Sequence, residues 1–257
     1  MVSLRELIKA SKSNLPVTVR HEKWLVENPN ANYSAKALEF AALVLSNELG
    51  GSRRRERMFR ASGLSYCDRR RVMHFMGMQE KKTIDSHLSN IFHTGNFIHL
   101  KWQMAGLTEG WLMEAEVPAD NPELGLGGTL DGVLFDYSGL EVKSINERGY
   151  KGVMTYGVKQ DHYKQVQGCM LLRPDIDRFS VIYENKNTGD WREFRVERDE
   201  SFIEGLRLEI AALRESAEKG PLPAILSDCK QETGSTYRNC PFKEQCFGAT
   251  HAKLRTA

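Results

Sequence analysis

Gly128-Thr129-Leu130-Asp131-Gly132-Val133-Leu134-Phe135-Asp136-Tyr137-Ser138-Gly139-Leu140-Glu141-Val142-Lys143-Ser144 is the stretch whose reading decides the fold. Two runs rich in aliphatic and aromatic residues flank Ser138-Gly139, the pattern of a β-hairpin with a short turn. Side chains of a strand alternate between faces, so Glu141 and Lys143 point to one side and Leu140 and Val142 to the other. Asp131, on the neighbouring strand, can come alongside that polar pair.

Two carboxylates and a lysine on adjacent extended segments are the minimal equipment for cutting a phosphodiester with a divalent metal. Carboxylate oxygens are hard ligands suited to Mg²⁺ or Mn²⁺, and such ions usually take only one or two of them from the protein. On this reading Asp131 and Glu141 hold the metal, which acidifies a bound water and neutralises charge on the phosphate. Lys143 orients that water or stabilises the developing charge. Asp-x9-Glu-x-Lys by itself also fits a solvated ion pair on a two-faced hairpin.

Upstream, Ser86 to Met104 reads as a helix with apolar positions Leu88, Ile91, Phe92, Ile98 and Trp102. Gly95 and His99 fall near the same stripe, so the helix is predicted to turn His99 inward, with Gly95 leaving room for a strand. An inward histidine is either a satisfied core residue or a ligand. The order Gly95-x3-His99, Gly128-x-x-Asp131-Gly132, Glu141-x-Lys143 resembles the PD-(D/E)xK nuclease superfamily, specifically its RecB-like and lambda-exonuclease-like members. That resemblance implies a restriction-endonuclease-like core, with His99, Asp131 and Glu141 on the metal and Lys143 catalytic. It also implies a catalytic glutamine on the following helix, which His162-Tyr163-Lys164-Gln165-Val166-Gln167 supplies as Gln165. The family pattern continues to a tyrosine four residues on, where this chain has Cys169, read as a small buried residue. Glu116 resembles a further acid found in some members.

Five cysteines, an odd number, and an opening segment without the apolar core of a signal peptide argue against a disulfide framework and for a reducing, cytoplasmic location. Cys67 stands alone early; Cys229, Cys240 and Cys246 fall late, the last two as Cys-Pro-x4-Cys. This arrangement resembles the iron–sulfur subclass of the same nucleases, as in the CRISPR-adaptation nuclease and the AddB nuclease domain. The resemblance implies a 4Fe-4S cluster on Cys67, Cys229, Cys240 and Cys246, stapling positions 162 residues apart. The chain departs from the usual Cys-x2-Cys-x5-Cys, since Tyr237 occupies the first of those cysteine positions and Cys229 must substitute by looping back. The rival is Zn²⁺, because Cys229, Cys240, Cys246 and His251 also resemble a three-sulfur, one-imidazole site.

Overall charge excludes little, as 36 basic and 34 acidic residues leave +2. Its distribution says more: Ser52 to Arg71 holds eight arginines against two acids. Arg53, Arg54, Arg55, Arg69, Arg70 and Arg71 are the expected nucleic-acid contacts, with Phe59 and Tyr66 interleaved for base stacking. The alternative is a solubilising basic linker. Lys186, in the apparent turn Asn185-Lys186-Asn187-Thr188-Gly189, is read as a solvated hairpin lysine or a phosphate contact.

An amphipathic stretch at Ala35 to Leu49 ends in Gly50-Gly51, and strands are expected near 111–117, 130–137, 140–144, 179–184 and 191–196. A helix follows at Glu200 to Lys219. The expectation is an α/β fold, a central mixed β-sheet flanked by helices with an N-terminal helical region and a cysteine-rich C-terminal tail. Residues 1–257 form one nuclease domain: a helical region at 1–60, the core at 61–223 and a metal- or cluster-binding tail at 224–257. No run approaches the roughly 18 apolar residues of a membrane span, and no nucleotide-binding glycine loop or repeat is present. The expected function is a metal-dependent DNA nuclease, an exonuclease in recombination, repair or phage DNA processing. Its partners would be single- or double-stranded DNA and a recombination or replication protein, with no membrane. The alternative from another class is a non-catalytic nucleic-acid-binding protein with a zinc-stabilised tail and a degenerate nuclease core.

Overall fold

The computed structural model describes residues 16–30, 32–46, 57–78, 85–230, 235–238 and 240–247. The elements are α1 (Val17–Glu27), α2 (Ala35–Leu45), β1 (Phe59–Arg60), α3 (Asp68–Phe75), α4 (Ser86–Glu109), β2 (Leu112–Asn121), β3 (Leu126–Leu134) and β4 (Gly139–Ile145). They continue with α5 (Glu147–Tyr156), α6 (Gln160–Leu172), β5 (Arg178–Asn185), β6 (Trp191–Glu197), α7 (Glu200–Lys219) and a short α8 (Ser235–Arg238). Local chemistry sets several boundaries. Asp85 accepts the Leu88 N–H at 2.7 Å to start α4, and Gly110, at φ 77°, ends it. Asn146 and Asp199 cap α5 and α7 in the same way.

Six strands form one mixed sheet, and β3 is its pivot. One edge of β3 pairs antiparallel with β2 from Asn121↔Leu126 to Leu112↔Leu134. The other edge is shared: β1 pairs parallel at Leu126 and Gly127, and β4 pairs antiparallel only at Gly132↔Leu140 and Val133↔Gly139. From there β4 runs parallel to β5 from Gly139↔Phe179 to Ile145↔Asn185, and β5 runs antiparallel to β6. Between β1 and β4, the middle of β3 pairs with no strand on that edge among the described residues.

Helices cover both faces, as the sequence leads one to expect. On one face Leu130, Val181 and Tyr183 pack with Val166 of α6, Ile210 of α7 and Phe75 of α3. On the other, Leu140, Val142 and Ile182 pack with Trp102 of α4 and Val17 of α1. The buried Glu184 carboxylate pins α4 to the sheet: its Oε2 accepts from the partly exposed Lys101 Nζ at 2.5 Å and from the Trp102 indole at 2.7 Å.

Several sequence expectations are corrected. The strand expected to Tyr137 stops at Leu134, because Phe135 to Ser138 form the turn, with Tyr137 at φ 62° and Ser138 held by Asp136. The α4 helix runs five residues further than Met104, and its N-terminal apolar positions are not core: Leu88 and Phe92 are exposed. The strand does not approach α4 at Gly95, where an added Cβ would meet nothing within 4 Å. It approaches at Gly106, where a Cβ would stand 2.6 Å from Trp111 and 2.7 Å from Leu112. Helix α1 falls within the helical region expected at 1–60, whereas α3 and α5 had no counterpart in the sequence reading. Gly50-Gly51, Arg53, Arg54, Arg55 and His251 lie outside the described residues.

Candidate active site

The polar centre sits where β3 and β4 part. After Leu140 the ladder ends, and the Val142 N–H donates to Asp131 Oδ2 at 2.6 Å instead of to a β3 carbonyl. A side-chain carboxylate thus takes the place of a backbone acceptor, which holds Asp131 level with β4. Glu141 and Lys143 face α6, opposite the apolar Leu140 and Val142. Gln165 bridges them: its Nε2 donates to Glu141 Oε1 at 2.8 Å and its Oε1 accepts from Lys143 Nζ at 3.0 Å. Lys143 Nζ also lies 2.5 Å from Glu141 Oε1, and His99 Nδ1 lies 3.3 Å from Asp131 Oδ2. The five residues predicted from sequence, His99, Asp131, Glu141, Lys143 and Gln165, are therefore brought together.

Their electrostatics diverge. Burial pushes Asp131 up, but the His99 imidazole, the Lys143 charge and the Val142 N–H outweigh it and hold Asp131 below the usual carboxylate range. Burial drives Glu141 upward; Lys143 opposes this, and the Asp131 charge adds to it. Burial lowers His99 and Lys143, yet the acids facing each one leave both raised.

Glu116 belongs to the same centre. It faces the Asp131 position across the β2–β3 ladder at φ 52°, a left-handed conformation rare in a strand and costing about 1–3 kcal/mol. Gln103, almost fully buried, secures it by donating to Glu116 Oε1 at 2.8 Å and to the Asp131 carbonyl at 2.9 Å. Burial raises the Glu116 carboxyl, with Gln103 opposing and Asp131 adding to the rise. Gln103 had no motif to mark it; only its polarity amid an apolar helix face could have drawn attention.

Among the described residues, no group of three or more His, Cys, Asp or Glu side chains is arranged to hold a metal ion as it stands. Here the acids are taken up by Lys143 and His99. One observation nevertheless fits a cation: Glu141 Oε2 is buried without a hydrogen-bond partner, a costly state for a carboxylate oxygen. Two acids and an imidazole beside that orphan oxygen are a donor set suited to Mg²⁺ or Mn²⁺.

The cysteines form a second grouping. Cys67, Cys229, Cys240 and Cys246 line one cavity with Met73, Leu226 and Phe242, and none is in a disulfide. Cys67 caps α3, its Sγ accepting the Arg70 N–H at 3.4 Å. Burial raises the Cys229 thiol, and the other three cysteines add to the rise. Cys169 lies elsewhere, fully buried beside the acids, and burial raises its thiol.

The arginines divide by role. Arg69 donates to the Pro223 carbonyl at 2.9 Å and the Cys246 carbonyl at 3.3 Å, strapping α3 to the tail. Arg70 lies 3.4 Å over the Tyr66 ring. Arg71 is buried, its Nη2 paired with Asp68 at 2.5 Å and with Glu209, while Nε and Nη1 have no hydrogen-bond partner. Arg60, Ser62, Arg70, Arg71 and His74 line a basic cavity beside β1. Lys186 sits in the β5–β6 turn closed by the Gly189 N–H on the Asn185 carbonyl at 2.8 Å.

No protein-family model and no curated protein sequence matches the chain. Solved structures do. An alkaline exonuclease from Laribacter hongkongensis in complex with dAMP superposes with a TM-score of 0.52 at 18% identity, covering 64% of this chain and 89% of that one. A second structure of the same enzyme gives a TM-score of 0.48 over the same shares. The protein SSO0001 gives 0.46 at 17% identity, covering 88% of this chain and 96% of that one. At this identity the likeness to the dAMP complex shows the fold: a mixed six-stranded sheet flanked by helices, of the kind that exonuclease has. No helix among the described residues is long and apolar enough to cross a membrane.

Proposed function

We propose that this chain is a divalent-metal-dependent DNA exonuclease. The observation that carries the reading is the parting of β3 and β4, which sets Asp131 and Glu141 side by side with Lys143 and leaves Glu141 Oε2 without a partner. His99, Asp131 and Glu141 would hold Mg²⁺ or Mn²⁺, with Glu116 a further carboxylate across the β2–β3 ladder from Asp131. When bound, the ion supplies an acidified water and neutralises charge on the scissile phosphate. In the hydrolysis this centre would support, a water oxygen would bond to phosphorus while the bridging oxygen leaves with the electron pair, the water's proton passing to solvent and one from solvent to the leaving oxygen. Gln165 holds Lys143 in place, and the ammonium steers the water and stabilises charge on the phosphate oxygens. The basic cavity beside β1, lined by Arg60, Arg70, Arg71 and His74, suits a phosphate of the bound strand.

The cysteine cavity would hold a 4Fe-4S cluster as a staple between α3 and the tail, supported by four thiols around one apolar space. A place in recombination, repair or phage DNA processing, with a protein partner from that machinery, completes the proposal. The test is degradation of end-labelled single- and double-stranded DNA by anaerobically purified protein in Mg²⁺ and Mn²⁺, with iron and zinc assayed on the same sample. Metal-dependent release of mononucleotides from an end is expected. Binding without cleavage in either metal overturns the nuclease reading in favour of a binding protein, and stoichiometric zinc without iron overturns the cluster.

A further inference from the structure

One turn N-terminal to Gln165, on the same face of α6, His162 stands against Tyr183 of β5. Its Nδ1 lies 2.7 Å from the Tyr183 hydroxyl, which also accepts the Lys159 N–H at 3.2 Å. Among the described residues the phenol hydrogen has no other acceptor, so the hydroxyl donates to Nδ1 and Nε2 carries the imidazole proton. Burial holds the tyrosine proton firmly, raising Tyr183 to about 12. Burial first, and then the nearby Lys143 charge, lower His162 to about 4, which keeps the ring neutral at physiological pH. The ring is not sealed into the core: its side chain is 16% exposed, and the nearest acid oxygen to Nε2, Asp161 Oδ2, is 3.7 Å away, beyond hydrogen-bond reach. A histidine serving only to fill this space would not need its tautomer fixed, and Nε2–H makes no hydrogen bond among the described residues.

We propose that His162 is a substrate-binding residue, a neutral imidazole whose Nε2–H donates to a non-bridging phosphate oxygen of the strand held at the Lys143 centre. The proposal rests on the nuclease reading of that centre. A second cation so close to Lys143 would be repelled by it, whereas a neutral donor adds a directed hydrogen bond at no electrostatic cost. Tyr183 is then a positioning residue, acting through the tautomer it enforces.

The experiment is binding of a short fluorescent DNA oligonucleotide with Ca²⁺ in place of Mg²⁺, across a salt series, alongside cleavage in Mg²⁺. His162→Phe, which keeps the volume without the donor, is expected to weaken binding about tenfold with the slope of log K against log[salt] unchanged, since a neutral donor releases no counterion. His162→Gln, which carries an N–H near the same place, is expected to recover most of the loss. Tyr183→Phe is expected to cost about threefold, because the ring can then adopt either tautomer. Wild-type affinity in His162→Phe overturns the proposal, as does a salt slope that falls by about one, which would mean a charged contact. Equal loss in the Gln and Phe variants with a lowered melting temperature also overturns it, making the ring structural. Wild-type protein that binds but does not cleave defeats the nuclease reading alone, while cleavage undiminished in His162→Phe defeats the phosphate contact alone.

Discussion

Asp131, Glu141 and Lys143 lie on two strands of one sheet, whereas Cys67, Cys229, Cys240 and Cys246 come from a helix cap, a 3-10 turn at Ser227–Lys230 and the end of the described chain. In the first region every charge has a counter-charge or a donor from the fold: Lys143 and Gln165 on Glu141, His99 and Val142 on Asp131. In the second, the four cysteines line one apolar cavity, where the Arg70 N–H donates to Cys67 Sγ and Arg69 donates to the Cys246 carbonyl. The difference separates side chains positioned by a sheet from thiols brought together by loop and helix ends, which the proposed cluster would hold. A sheet ladder places side chains to within a fraction of an ångström before any ligand arrives. Loop segments converge only if something repays the entropy of closing the chain.

The largest effects should fall on the carboxylate centre and leave the fold standing. Asp131→Asn keeps an oxygen for the Val142 N–H, so its melting temperature should stay near wild type. Cleavage should nonetheless fall by about 10²- to 10³-fold or more, as should that of Lys143→Ala. End-labelled DNA degradation beside thermal melts reads both. A large loss of stability in Asp131→Asn would break the comparison, since the scaffold would then depend on the charge it was said to build.

The cysteine end should respond the opposite way. Cys240→Ser or Cys246→Ser is expected to lower stability by about 2–4 kcal/mol, roughly 5–15 °C in melting temperature, through loss of the proposed cluster staple. Cleavage per folded molecule should change by only a few fold. Loss of all cleavage with an unchanged melting temperature would mean that the cysteines serve the chemistry rather than the architecture.

How far the sequence disclosed all this follows the same division. The hairpin chemistry was legible because strand alternation alone places Glu141 and Lys143 together, and the order of motifs marked His99, Asp131 and Gln165. The break in the β3–β4 ladder was not legible, since it depends on Asp131 replacing a backbone acceptor, a tertiary event without local pattern. Glu116 was visible only by resemblance, because a left-handed residue within a strand has no sequence signature when it is not glycine or asparagine. Helix α3 was hidden by its arginines, which were read as nucleic-acid contacts or, alternatively, a basic linker, whereas Val72, Met73 and Phe75 pack in the core. In α4, apolar residues were assumed to face inward throughout, yet the first half of the helix extends past the sheet and exposes Leu88, Phe92 and Phe97.

The two glycines of α4 test the scaffold of the first region at smaller scale. Gly106→Ala would drive a Cβ to 2.6 Å from Trp111, where β2 begins, and should cost about 1–3 kcal/mol. Gly95→Ala meets nothing within 4 Å and should stabilise the helix by about 0.5–1 kcal/mol. Denaturant unfolding of both variants gives the comparison directly. A destabilised Gly95→Ala would show that a neighbour packs on this face of α4 after all.

The smallest effect lies in the turn that sets the offset of Asp131 from Glu141. Burial pushes Asp136 up, but the Ser138 hydroxyl at 2.5 Å and Arg178 at 2.8 Å, with the Ser138 N–H, outweigh it and hold the carboxyl below its ordinary value. A carboxyl whose folded pKa is depressed contributes stability that is present above the unfolded value, near pH 4, and is lost as pH falls through the folded value. The pair is one-fifth exposed on both sides, so screening limits the contribution to about 1 kcal/mol or less. Asp136→Asn should therefore lower stability slightly at pH 7 and flatten its decline below about pH 4. Because the turn is also held by the Tyr137 N–H on the Leu134 carbonyl at 2.9 Å and the Leu134 N–H on the Ser138 carbonyl at 2.8 Å, cleavage at neutral pH should change less than twofold. A large drop in cleavage with little change in stability would show that the register of the hairpin, rather than the ladder break, is what aligns the two acids.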